Sequence, residues 1–262
     1  MLLSKSPWER WRGTGRRICL ATWSIAIFPW GSGSQAPALY VADVGHGTAA
    51  ILHLPGAQTW LFDAGSRDRP GVARGALAPL LRWLDVSRLQ VALSHGDSDH
   101  AGALPWLQER FPPVTWMGAL PAQWMERLPH DCQVLDLQGG RLELGTEETG
   151  LTLIRGLDES GNEGSRSLEI RSGGQKWLLC GDAEGDGLAR QLRAGSIRGP
   201  YDLVLFPHHG SETPWLEEFL AAALPREVWF SAATRPVVAD ELDRRGIPWR
   251  CTARDGPLHW PN

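Results

Sequence analysis

The segment Leu93–Leu104 reads LSHGDSDHAGAL and places His95, Asp97, Asp99 and His100 within six residues. It restricts the fold more than any other stretch of the chain. Two carboxylates and two imidazoles on one short loop crowd like charges together. A divalent cation removes that conflict and keeps the carboxylates ionised. The segment follows RLQVALS, a continuous apolar run of the kind that forms a strand buried on both faces. The fold must therefore end a buried strand in a polar loop and bring partners to it.

The rest of the chain offers partners, each at the end of an apolar run. Asp43 follows ALYVA, Asp63 lies in LFDAG, Asp182 follows LLCG, and His208 and His209 follow YDLVLFP. Loops at strand ends are where rigid scaffolds carry catalytic groups. Nitrogen and oxygen donors suit Zn, Mn or Fe, and the share of carboxylates tilts the set toward Mn. Two such ions about 3.5–4 Å apart would suit phosphodiester cleavage, activating water and stabilising the charge that develops.

Around these loops the pattern is mixed α/β. ALYVADVGHGTAAILHLPGAQTWLFDAG predicts three short strands with turns at Gly45, Gly47 and Pro55–Gly56. Leu77, Leu80, Leu81 and Leu84 recur at helical spacing, and GALPWLQERF reads as a second helix. A helix near 121–128 and strands near 141–144 and 151–155 come next. SLEIRS, KWLLCGD, YDLVLFP, EVWFSA and PWRCTA read as further strands. Helices separate the later ones at AEGDGLARQLRAG, WLEEFLAAAL and RPVVADELDRRG. No linker interrupts the pattern, so one α/β domain is expected over 37–262.

The composition, 42% hydrophobic and 21% charged, is that of a globular chain, so disorder is not expected outside the ends. A net charge of −4 excludes a globally basic nucleic-acid binder; phosphate would have to be met by a local patch or by metal. The 14 tryptophans follow no repeat period, so nothing supports a propeller or solenoid and they are left to packing. Cys19, Cys132, Cys180 and Cys251 form no CxxC pair, so a zinc ribbon or disulfide framework is not expected. Residues 1–36 differ from the rest. A basic stretch precedes the apolar ICLATWSIAIFPW and the small-residue GSGSQAPA, in the order of a signal peptide. A working leader would export the protein or hold it at a membrane; otherwise the protein is cytoplasmic.

HGDSDH resembles the H-x-H-x-D-H signature of the metallo-β-lactamase superfamily, with Asp97 at the middle histidine. The set DVGHGTAAIL, LFDAG, SHGDSDHAGAL, LLCGDAE and FPHHGSETP is similar to the hydrolase domain of ComEC-type DNA-uptake (competence) proteins, over roughly 38–259. The resemblance implies a four-layer αββα sandwich holding two divalent ions, Zn or Mn. It implies His95 and Asp97 on one ion, Asp99 and His100 on the other, and Asp182 as the bridge. His208 would complete the second position, while His209 would orient a phosphate or donate a proton. Asp43 and Asp63 would orient ligands or backbone, and Asn162 with Ser165 or Ser167 would stand where other branches place a third histidine. Ser211 belongs with His46 and this substrate-facing or supporting group.

The chain departs from the family pattern. DVGHGTA replaces DVGQGDA, so His46 is either an added ligand or a hydrogen-bonding turn residue, and Asp97 weakens strict zinc dependence. The long multi-helix channel of uptake proteins has no counterpart here, so a channel would be a separately encoded partner. The expected function is a metal-dependent phosphodiesterase acting on DNA or RNA through activated water. The alternatives are a hydrolase of lactones, lactams or thioesters, and a non-catalytic binding module in an uptake or envelope complex.

Overall fold

A computed structural model describes residues 36–261 apart from 55–57, 136–140, 147 and 158–159. The expected leader, all but Ala36, lies outside the described residues, as does Cys19. Among the described residues no helix is long and apolar enough to cross a membrane.

Fourteen strands among the described residues form two sheets: β1 Ala38–Val41, β2 Ala49–Leu54, β3 Gln58–Ala64, β4 Leu89–Leu93, β5 Pro113–Gly118, β6 Gln133–Leu135, β7 Arg141–Gly145, β8 Gly150–Ile154, β9 Ser167–Ser172, β10 Gln175–Cys180, β11 Leu203–Leu205, β12 Val228–Phe230, β13 Trp249–Cys251 and β14 Leu258–Trp260. The first sheet runs β14-β1-β2-β3-β4-β5-β6, the second β13-β12-β11-β10-β9-β8-β7. Each sheet has an antiparallel part and a parallel part. In the first, β3 to β6 are parallel; in the second, β10 to β13 are. Ligands in sheets of this kind lie beyond the carboxyl ends of parallel strands, and the motif loops leave from those ends.

Period-two alternation divides the apolar residues into three layers. Trp60, Phe62, Ala92 and Met117 face between the sheets, where they meet Leu153, Leu168, Ile170, Trp177, Leu179 and Trp229. Leu61, Val91 and Trp116, one residue out of phase, face outward onto Leu77, Leu80, Leu81, Leu104 and Leu107. Leu178, Cys180, Val204 and Phe230 do the same on the other side, against Leu188, Phe219, Leu220 and Leu242. Three apolar layers require four structural ones, so the chain is the expected αββα sandwich in one domain. Helices Ala78–Trp83 and Leu104–Gln108 cover the first sheet, and Gly185–Arg193, Leu216–Ala223 and Ala239–Arg245 the second.

Strands β5, β6 and β14 carry no clear sequence signal. PVTWMG starts with proline, tolerated as the first residue of a strand because no ladder donor is needed there. LHW becomes a strand only by pairing with β1, through Leu39–Trp260 and Val41–Leu258. Cys180 and Cys251 are buried free thiols, and Cys132 is half-buried and free.

Candidate metal centre

The carboxyl ends of both parallel strand sets meet at one point. Ser94 and His95 directly follow β4, and a short helix Ser98–Ala101 then carries Asp99 and His100. Gly181 and Asp182 directly follow β10, while β11 leads through Phe206 into His208 and His209. Two glycines allow the approach. A Cβ on Gly65 would collide with the Asp99 backbone, and one on Gly181 would collide with Ser94 and Ser165.

Donor atoms of Asp99, His100, Asp182 and His209 lie within 4.8 Å of one another. His100 Nε2 is 2.9 Å from Asp182 Oδ1, but not along a hydrogen-bond direction, and His209 Nε2 is 3.4 Å from Asp182 Oδ2. His95 lies beside this group, its ring centroid 4.3 Å from that of His100 and its plane tilted by 46°. His95 Nε2 is 3.6 Å from Oδ2 of Asp97, whose side chain is largely exposed.

The far side of each imidazole is fixed by the protein. His100 Nδ1–H donates to Asp63 Oδ2 at 2.7 Å. The same carboxylate accepts the Ser94 N–H at 2.8 Å and the Ser94 hydroxyl at 2.7 Å. His209 Nδ1–H donates to the Ser231 carbonyl at 2.8 Å. His95 Nδ1 lies 3.0 Å from Ser94 Oγ and 3.3 Å from Ser165 Oγ, and Ser165 Oγ also accepts the Asp182 N–H at 2.9 Å. Each Nδ1 is thus engaged. The Nε2 atoms of His95, His100 and His209 are buried without a hydrogen-bond partner among the described residues. A buried polar atom left unmet costs about 1–3 kcal/mol, and three of them beside a carboxylate fit a bound cation. Outer partners that fix ring orientation in this way are characteristic supports of metal-ligating histidines.

The backbone is strained here. Asp63 (φ 54°), His208 (φ 48°) and His209 (φ 54°) occupy left-handed conformations. Each costs on the order of 1–3 kcal/mol, and such residues cluster where function over-determines the chain.

The local field is that of a buried ion pair. Burial alone would push the His100 imidazolium down, but the carboxylates of Asp182 and Asp63 hold its pKa well above the ordinary imidazole value. Burial would raise Asp182, but His100, with help from His209, holds it well below the carboxylate range. His95 is lowered by burial and then by the neighbouring charge of His100.

The other expected site residues fall as follows. His208 is not in the donor group: its Nδ1 pairs with Glu184 Oε2 at 2.8 Å, and it keeps more exposure than the buried His209. His209 rather than His208 therefore joins the donor group, because the left-handed turn at Pro207–Gly210 aims the second ring inward. Asn162 Nδ2 donates to the other oxygen of Glu184 at 3.0 Å. Asp43 is drawn to Arg69 at 2.9 Å and to the Gly45 N–H at 3.3 Å, a turn-supporting position. Ser211 enters through its N–H, which donates to the His208 carbonyl at 2.9 Å. Ser167 Oγ donates to Gln191. His46 Nε2 stands 3.6 Å from Asp99 Oδ2. Ser94, Glu184 and Ser231 were not singled out in the sequence. Ser94 and Ser231 do share the signal of the rest, a polar residue directly after an apolar strand.

Residues 43–232 match the family described as the Metallo-beta-lactamase superfamily. The chain is 28% identical over 229 residues to "Uncharacterized protein YcaI" of Escherichia coli, covering 80% of this chain and 28% of that protein. It is 27% identical over 212 residues to "Recombination protein 2" of Haemophilus influenzae, covering 79% and 24%. The chain thus spans about a quarter of the length of these relatives. Among solved structures, the metallo-beta-lactamase fold protein YhfI of Bacillus subtilis superposes with a TM-score of 0.59 at 14% identity, covering 86% of this chain and 99% of that one.

Proposed function

This chain belongs to the metallo-beta-lactamase superfamily, and from that premise we propose that it is a metal-dependent hydrolase of phosphodiester bonds in nucleic acid. The observation that carries the metal dependence is the set of three buried, unmet imidazole nitrogens of His95, His100 and His209, the last two beside Asp182. The nucleic-acid substrate is supported by the relative named for recombination and by the family likeness of the ordered motifs.

Asp99, His100, Asp182 and His209 would hold one ion, and His95 with Asp97 would contribute to a second. A divalent ion there supplies charge stabilisation and makes bound water acidic enough to act as a nucleophile near neutral pH. The remaining tasks fall to the protein. Asp63 and the Ser231 carbonyl fix the rings of His100 and His209. Ser165 ties Asp182 to the His95 side of the site. Buried His100 and Asp182 keep bulk water from the inner face. His208, oriented by Glu184 and partly exposed, is the imidazole available to a substrate phosphate or leaving group. The net charge of −4 leaves phosphate recognition largely to the bound cations.

The test uses the full chain with labelled single- and double-stranded DNA and RNA, Mn²⁺ or Zn²⁺, and an Asp99→Ala control. Cleavage by the wild type and its loss in the control are expected. A protein that binds metal but leaves every nucleic acid intact would overturn the substrate; turnover of a lactone or thioester panel would then assign the small-molecule reading.

A further inference from the structure

His46 stands in the loop between β1 and β2, outside the four-donor group, yet it reaches the same place. Its Nε2 lies 3.6 Å from Asp99 Oδ2, and its ring centroid is 4.7 Å from that of His209. The first distance is too long for a hydrogen bond. It is at the upper end of the separation of about 2.9–3.6 Å between two donors at roughly 90–120° on one five-coordinate ion with bonds of about 2.0–2.1 Å. The donors already in the group show the same spacing, at 2.9 and 3.4 Å around Asp182.

The backbone of the loop is tied down beside the cluster. The His46 N–H donates to Asp68 Oδ2 at 2.9 Å, and its carbonyl accepts the Arg67 N–H at 2.7 Å. Two residues on, the Thr48 N–H donates to the Asp99 carbonyl at 3.0 Å, and the Gly47 carbonyl accepts the Ser231 hydroxyl at 2.7 Å. The loop is therefore fastened both to the residue that carries the Asp99 carboxylate and to the residue that orients His209. Gly47 has φ 144° and packs on the Asp99 carbonyl so closely that a Cβ would collide with it.

We infer that His46 is a further ligand to the ion held by Asp99 and His209, and that it sets which metal the site prefers. The inference rests on the metal reading proposed above. An added imidazole favours Zn²⁺ or Co²⁺ over Mn²⁺, because nitrogen donors suit the former while carboxylate sites suit the latter. It offsets the bias toward Mn²⁺ that the carboxylates of Asp97, Asp99 and Asp182 create.

Calorimetric titration of the full chain with Zn²⁺ and with Mn²⁺, for wild type, His46→Gln and His46→Ala, tests this. The visible spectrum of the Co²⁺ form is a second readout. Both substitutions leave the backbone attachments of the loop in place. Zn²⁺ affinity is expected to fall about tenfold or more, the scale set by losing even an outer support of a ligand. Mn²⁺ affinity should fall much less, and the Co²⁺ bands should weaken and shift. Unchanged Zn²⁺ affinity and Co²⁺ spectrum in both variants, with Asp99→Ala abolishing binding, would overturn the role of His46 alone. No binding of any of the three metals by the wild type would overturn the metal reading with it.

Discussion

The Nδ1–H of His100 donates to Asp63 Oδ2 at 2.7 Å, and neither side chain is exposed to solvent. The bond fixes the tautomer that leaves Nε2 free. Asp63 also satisfies both the N–H and the hydroxyl of Ser94. Asp63→Asn keeps the shape but loses the charge and one acceptor. Metal affinity should fall about 10–100-fold, and thermal melts should show destabilisation from the buried polar atoms left unmet. Titration and melting of the same sample check both.

His208 and His209 should separate cleanly. His209→Ala removes a donor from the cluster and is expected to weaken metal binding strongly. His208→Ala removes a ring held by Glu184 and should leave metal affinity within about twofold while lowering turnover of nucleic acid, by an amount on the scale of about 10²–10⁴ if the ring transfers a proton. Equal losses of metal in the two variants would contradict the placement.

Metal binding and stability should both depend on pH with a definite sign. The raised His100 pKa contributes stability that is complete below the ordinary imidazole value of about 6.5 and is lost as pH rises through the folded value. The lowered Asp182 pKa contributes stability that is complete above the ordinary carboxylate value of about 3.9 and is lost as pH falls through the folded value. Metal-free protein should therefore be most stable between those limits. A metal ion takes the place of the His100 proton, so its affinity and the rise in Tm it causes should be larger at pH 8 than at pH 5.5. Melting curves with and without Zn²⁺ at both values test the sign.

The thiols should be inert. Burial pushes Cys180 up to about 12 and also raises Cys251. Alkylation of the folded protein at pH 8, followed by peptide mass mapping, should leave both unmodified and should label them after denaturation.

Much of this arrangement was legible because the sequence places donors directly after apolar runs. LFDAG, RLQVALSH and LLCGD each announce a strand and its polar end at once. Strands β5, β6 and β14 were not legible, since each is defined by its neighbour in the sheet rather than by its own alternation. The order of His208 and His209 was hidden for a different reason. Two adjacent histidines have equal chemistry, and the choice between them is made by left-handed backbone angles and by the Ser231 carbonyl, which lies 22 residues away in the chain. A comparable separation in sequence concealed Glu184 as the partner of His208.

The donors are divided between the two sheets: Asp99 and His100 hang from the first, Asp182 and His209 from the second. Neither half owns a working set. The seam is therefore intolerant of slippage: lengthening β4 or β10 by one residue would shift its donors by about 3.3 Å, a full donor-to-donor spacing. Insertions in loops remote from these strand ends would leave that seam aligned. Evolution of such a chain is free at its outer edges and locked in step where its two halves clasp.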